Sequence, residues 1–134
     1  MKIDGSCHCG AIAYEAEIDP AEVYICHCTD CQTLSGSAFR TVVPTGPGKF
    51  KLLSGPLTTY VKTAESGNRR AQAFCPTCGT SIYSAPVGAG ENTVVIRVGT
   101  IRQRDRLTPT KQYWFRSAQP WVTALGSVDK VEKE

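Results

Sequence analysis

Gly5-Ser6-Cys7-His8-Cys9-Gly10 near the start and Phe74-Cys75-Pro76-Thr77-Cys78-Gly79 in the middle of the chain decide the fold between them. Each carries two cysteines at metal-ligand spacing, C-x-C in the first and C-x-x-C in the second. Two such pairs can close one tetrahedral zinc site with no vacancy. Each Zn–S bond is about 2.3 Å long, so the two knuckles must meet closely. Cys9 and Cys75 are far apart in sequence, and one ion would tie the N-terminal strand to a hairpin in mid-chain. Such a site can contribute about 10 kcal/mol or more to folding, because the unfolded chain has no preformed site. Gly79, after the second cysteine, lets the backbone turn tightly around sulfur.

The other three cysteines stand together as Cys26-His27-Cys28-Thr29-Asp30-Cys31, and the chain has seven in all. Four plus three is the natural partition. Three thiolates within six residues can face one metal and leave its fourth position open, which is where chemistry can occur. A thiol from solution could fill that position as thiolate, and the metal could also polarise a carbonyl. The rival reading is a second closed site, completed by His8, His27 or Asp30. A metal-free set of reactive thiols is the third.

Composition bounds the function. At 134 residues the chain reads as one domain, with a core over about 3–123 and a tail over 124–134. The formal charge of +3 counts cysteine as neutral. Zinc on four thiolates brings minus two and zinc on three brings minus one, which together cancel it. Bulk charge therefore gives little support to nucleic-acid binding. Met1-Lys2-Ile3-Asp4-Gly5 opens no signal-peptide stretch, and no run approaches the roughly 18 apolar residues of a membrane span. The expectation is a cytoplasmic protein with no membrane partner. In that reducing setting clustered cysteines point to metal or catalysis rather than disulfides.

The remaining sequence reads as short strands between turns. Ile12, Tyr14, Ala16 and Ile18 alternate with Ala11, Ala13, Glu15 and Glu17 until Asp19-Pro20 stops them. Further strands are expected at 23–25, 39–43, 50–53, 57–62, 69–74, 81–84, 93–100, 112–116 and 121–123. Pro44-Thr45-Gly46-Pro47-Gly48 should end one of them, and Glu65-Ser66-Gly67-Asn68 is a hairpin turn. Residues 28–36 are too polar and too short for a packed helix, and read as a knuckle with one helical turn. The class is mainly β, an all-β sandwich or folded sheet of short strands with metal knuckles between them.

Other residues have bland expectations. His8 and His27 each sit between two ligands and should point away from the metal, as hydrogen-bonding partners. Asp30 and Gln32 read as solvated knuckle residues, and Ser35-Gly36-Ser37 as a turn. Arg97, Arg102, Arg104 and Arg106 read as a solvated edge, with a carboxylate-bearing substrate or nucleic acid as the sharper alternatives. Tyr113, Trp114, Phe115 and Trp121 read as core.

These clusters, in this order, resemble the glutathione-dependent formaldehyde-activating enzyme family, which also includes a vertebrate centromere-associated member (centromere protein V). Besides the cysteine motifs, the matching text is Ser35-Gly36-Ser37-Ala38-Phe39, Glu65-Ser66-Gly67 and Trp121. The resemblance implies a β-tent fold of folded sheets related to zinc ribbons. It implies a structural zinc on Cys7, Cys9, Cys75 and Cys78. It also implies a catalytic zinc on Cys26, Cys28 and Cys31, with Cys28 nearest the incoming thiol. The implied activity is that of a carbon–sulfur lyase, joining a glutathione-like thiol to formaldehyde or reversing that. The alternatives are a non-enzymatic zinc module that binds protein or nucleic acid, and a redox or zinc-responsive thiol site.

Overall fold

The computed structural model describes residues 1–88 and 92–134. Among them are nine strands and one short α-helix, joined by turns and 3-10 segments. The strands are β1 (Lys2–Ser6), β2 (Ala13–Ile18), β3 (Tyr24–Cys26), β4 (Arg40–Ser54), β5 (Thr58–Thr63), β6 (Arg69–Phe74), β7 (Ser81–Pro86), β8 (Val95–Arg97) and β9 (Lys111–Tyr113). Helix α1 is Thr29–Ser35. No helix of the described residues is long and apolar enough to cross a membrane.

The sheet runs β1-β2-β4-β8-β7-β6-β5, with β3 on β4 and β9 on β3. All pairings are antiparallel except β3 with β9. The long strand β4 belongs to both halves. Its first residues pair with β3 and β8, and residues from Thr45 onward pair with β2. The run Pro44 to Gly48, expected to end a strand, instead sits inside β4. Ala16 faces Phe50 while Ile18 faces Thr45, so the Gly-Pro-Gly stretch forms a bulge opposite β2. Proline cannot donate to a ladder, and a bulge is where a strand tolerates it. The sheet folds about this strand, and the mainly β, folded-sheet class is the observed one.

The alternating pattern of β2 is seen in its burial: Tyr14, Ala16 and Ile18 point inward and Glu15 and Glu17 outward. Ile12, Tyr14, Val43, Ile82, Ile96 and Ile101 are fully buried and centre the core. Tyr14 donates or accepts one short hydrogen bond with Thr100 Oγ1 (2.7 Å). Gly5 lies opposite Tyr14, and a Cβ at Gly5 would overlap the Tyr14 ring and the Thr100 carbonyl. Glycine is required there by close approach.

Several expected strands end differently. Residues 93–100 are extended only over Val95–Arg97, and Val98–Thr100 turns as 3-10 helix. Residues 112–116 stop at Tyr113 because Trp114 adopts φ 55, a left-handed backbone. Residues 121–123 are no strand. They lie in the 3-10 stretch Pro120–Ser127, which begins with proline and has no buried residue. Helix α1 is longer than the single turn expected of the knuckle, but it too has no buried residue.

Candidate metal centres

The first cluster forms where the loop after β1 meets the β6–β7 turn. Sulfurs of Cys7, Cys9, Cys75 and Cys78 all lie within 4.8 Å of one another. Cys7 Sγ is 3.6 Å from Cys9 Sγ, and Cys9 Sγ is 3.8 Å from Cys75 Sγ. A tetrahedron with Zn–S bonds of about 2.3 Å requires sulfurs about 3.8 Å apart. The donor set therefore fits a thiophilic divalent ion such as zinc. Cys7 and Cys75 are buried while Cys9 and Cys78 are exposed, so the site spans core and surface. Gly79 takes φ 77, the conformation its turn around sulfur needs. The backbone closes the same turn, Gly79 N donating to the Cys75 carbonyl (2.9 Å). A hydrogen bond with the Thr80 hydroxyl, at 3.2 Å, brings the Cys78 thiol down to about 5.

The second cluster is local. Cys26 ends β3, Cys28 precedes α1, and Cys31 lies in its first turn. Their sulfurs also lie within 4.8 Å of one another, and all three are half-buried. Cys28 Sγ accepts from the Cys31 backbone N–H at 3.3 Å. The hydrogen bond from Cys31, followed by those from the Cys28 backbone and side chain, holds the Cys26 thiol down at about 5. Cys31 is pushed upward by the same partnership and by burial. The triplet therefore has one sulfur ready to be thiolate and one that gives its proton up last.

No histidine or carboxylate of the described residues completes this triplet. His27 is fully buried and turned away, its ring between Phe39 and Phe115 at 5.5 and 5.6 Å. Its Nε2 is 2.7 Å from Gln112 Oε1, and its Nδ1 is a buried atom with no partner among the described residues. His8 is exposed, its backbone N–H donating to Thr80. Both histidines stand where the spacing argument put them. The Ser35-Gly36-Ser37 turn also forms, with Gly36 left-handed at the end of α1.

The expectations for Gln32 and for the late aromatics are corrected, and the one for Asp30 stands. Gln32 is not a free knuckle residue. It donates to the carbonyls of His27 (2.8 Å) and Ser117 (2.9 Å) and accepts from Gln119 (2.8 Å), fastening the knuckle to the segment after β9. Asp30 is exposed as expected, but pairs with Lys62 Nζ at 2.8 Å. Tyr113, Trp114, Phe115 and Trp121 are 44 to 50% exposed rather than core. Tyr113 lies on β9 at the edge of the sheet, and Phe115 and Trp121 lie beyond it in 3-10 segments that have no buried residue. Tyr113 covers Tyr24, and Phe115 covers His27.

The arginines depart most from expectation. Arg102, Arg104 and Arg106 are exposed, Arg102 pairing with Asp4. Arg97 is buried. It donates to Ser81, Ser84, the Val95 carbonyl and Gln72 Oε1 (2.8 Å). Burial, then the neighbouring Arg40, brings its guanidinium down to about 9, while Cys31 and Tyr24 support its charge. Arg40 is equally buried and donates to the same Gln72 oxygen (3.2 Å). Arg40 was not singled out in the sequence. Its signal was there: it sits two residues before the buried Val42 on the strand expected at 39–43, so both share a face.

Among the described residues, three cavities are lined by residues other than Cys26, Cys28 and Cys31. One of about 340 Å³ is lined by Gly5, Cys7, His8, Thr80, Thr100 and Arg104 among others, beside the four-cysteine site.

The family model described as glutathione-dependent formaldehyde-activating enzyme matches residues 2–117. Among solved structures, the crystal structure of a Rhodobacter sphaeroides protein, a structural genomics target, superposes with a TM-score of 0.61. It is 21% identical, and the match covers 81% of this chain and 98% of that one. At that identity the likeness speaks to the fold alone.

Proposed function

The chain belongs to the glutathione-dependent formaldehyde-activating enzyme family, and from that premise we propose that it joins a thiol to a small aldehyde at Cys26, Cys28 and Cys31, and catalyses the reverse cleavage. The observation that carries this reading is the triplet's geometry: three half-buried sulfurs within 4.8 Å, with no fourth ligand among the described residues. The four-cysteine set is closed and has no position for substrate. In the same reading each cluster holds zinc, two ions per chain. The first ion is structural, and the second supplies Lewis acidity to an incoming thiol and to a carbonyl oxygen.

The reaction forms one carbon–sulfur bond. The thiol sulfur adds to the aldehyde carbon, the carbonyl π pair moves to oxygen, and the thiol proton ends on that oxygen. Cleavage runs the same exchange backward. The chain's own contribution is positional. Gln32 ties the knuckle to Ser117, and Gln112 and the two phenylalanines fix His27 between Cys26 and Cys28. The ligand sulfurs are thus held on a rigid loop rather than gathered by the ion. Family membership supports formaldehyde and a glutathione-like thiol as the substrates. We further take the chain as one domain that acts in the cytoplasm.

The test is exchange NMR between formaldehyde hydrate and an S-hydroxymethyl thiol, with and without zinc-loaded protein. The expected result is exchange faster than the uncatalysed background, and slower again for Cys28→Ser. An exchange rate equal to background at micromolar protein would reject the reading for that pair of substrates.

A further inference from the structure

The buried arginines lie on the triplet's own side of the sheet. Cys26 faces Arg40 directly across β3 and β4, and opposed residues of an antiparallel pair project to the same face. The register carries that face onward. Val42 opposes Tyr24 and Arg97, Ser84 opposes Val95 and Gln72, and Arg70 lies two residues from Gln72 on β6. β4 and β6 are separated by β8 and β7 in the strand order. Arg40 nevertheless reaches Gln72 on β6, so the sheet curls enough for one guanidinium to bridge it. Arg40, Arg70 and Arg97 therefore share one face of the sheet with Cys26.

Buried guanidiniums ordinarily have a carboxylate partner. Here they share one neutral acceptor, Gln72 Oε1. No acidic side chain of the described residues forms an ion pair with Arg40, Arg70 or Arg97. The one beside the triplet, Asp30, pairs with Lys62. The thiolates are the alternative counter-charge. A divalent ion on three thiolates carries only minus one, against three guanidinium charges on the face. The two buried arginines also differ. Arg97 spends its nitrogens on Ser81, Ser84, Val95 and Gln72 and is a structural group. Arg40 makes one hydrogen bond, and the other four of a guanidinium's five N–H groups have no acceptor among the described residues. It is 8% exposed, and no Arg40 nitrogen is both sealed from solvent and unpartnered.

We propose that Arg40 is the recognition group for a carboxylate carried by the incoming thiol, with Arg97 and Arg70 completing the positive floor. This rests on the thiol–aldehyde reading above. It moves the acid-recognising arginine from the exposed 102–106 segment to the sheet face that Cys26 shares.

The experiment titrates mercaptoacetate and neutral mercaptoethanol into cobalt(II)-loaded protein, without aldehyde, and follows the sulfur-to-cobalt absorption. Wild type should bind mercaptoacetate about tenfold or more tighter, the range of a desolvated charge-assisted pair. Arg40→Gln should abolish that preference and leave mercaptoethanol unchanged, and Arg40→Lys should restore part of it. An unchanged ratio in Arg40→Gln would overturn the proposal, as would equal weakening of both thiols. A second measurement follows the Arg40 Nε signal by nitrogen NMR as malonate is added to unsubstituted protein. A saturable shift supports the anion site even if Arg40→Gln fails to fold, and no shift overturns it. If neither thiol alters the cobalt spectrum while malonate still shifts Arg40, the thiol–aldehyde reading fails and the anion site stands.

Discussion

Replacing Cys75 by Ser should separate the two metal sites by their effect on stability. Cys75 is fully buried and lies 66 residues from Cys9, its neighbour in the site at 3.8 Å. Apparent binding free energies of structural zinc are about 10–16 kcal/mol. At roughly 1 µM free metal, mass action converts these into about 2–8 kcal/mol of added folding stability. The lower end is a large fraction of a marginal domain's total of about 5–15 kcal/mol. At about 3 °C per kcal/mol for a chain of this size, Cys75→Ser should lower Tm on the order of 6–24 °C. Cys31→Ser should lower it far less. Its ligands span residues 26–31, and closing so short a loop removes little chain entropy.

The assay is thermal unfolding by circular dichroism, with metal counted on each variant by mass spectrometry. A buried Cys→Ser change has its own cost, so each melt is repeated in chelator. The metal-dependent part is the gap between wild type and variant that chelator closes. The expected count is one ion fewer in each variant, with a large chelator-sensitive gap for Cys75→Ser only. The division of roles is refuted if Cys75→Ser melts within about 2 °C of wild type at 1 µM metal. It is equally refuted if Cys31→Ser shows the same chelator-sensitive loss.

Tyr14 is held neutral by burial, its hydroxyl pushed up to about 12 from 10.0. A raised folded value means this contribution is complete below pH 10 and is lost as pH rises through about 12. Phenolate absorbance should therefore show a late step coincident with unfolding, which Tyr14→Phe removes. In metal-free protein Cys26 is the lowered thiol and Cys31 the raised one. Alkylation at pH 6 followed by peptide mapping should label Cys26 well ahead of Cys31, and the reverse order would contradict the assigned partnership. Gln32→Ala removes donors to the His27 and Ser117 carbonyls, and should cost about 1–3 kcal/mol. It should weaken metal retention at the triplet while the four-cysteine ion stays.

Much of the site was legible because metal ligation is a spacing rule. C-x-C, C-x-C-x-x-C and C-x-x-C place sulfurs near one ion whatever the surrounding sheet does, and the four-plus-three partition reappears as two sulfur clusters. Period-two alternation was equally readable over Ile12 to Ile18, where one face is wet and the other dry. The aromatics of residues 113–121 failed because hydrophobicity reports what a side chain can bury, not whether its strand has a neighbour. Tyr113 ends β9, which pairs on one side only, while Phe115 and Trp121 fall in 3-10 segments that bury nothing, and both are facts of topology. Gly46-Pro47-Gly48 failed for a related reason: the same residues that end a strand also make a bulge, and only the β2 pairing decides which.

Arg97 and Arg40 carry the larger lesson about charge. Grouped along the chain, Arg97 belongs with Arg102, Arg104 and Arg106 as one basic run. Grouped by register, it belongs with Arg40 and Arg70, which lie on other strands. Sheet pairing sorts residues by face, so charges adjacent in sequence can fall on opposite sides and distant ones on the same side. The exposed arginines are screened by solvent and act weakly. The buried ones lie where the local dielectric is low, and there an unmatched positive charge is costly unless something negative arrives. Two partly compensating anions are available to that face: the thiolates of the triplet and a substrate carboxylate. A site that binds a thiol acid supplies both in one molecule, sulfur to the triplet and carboxylate to Arg40. That coupling would make affinity for the acid depend on an intact triplet. Cys28→Ser should therefore weaken mercaptoacetate binding while leaving malonate binding at Arg40 unchanged.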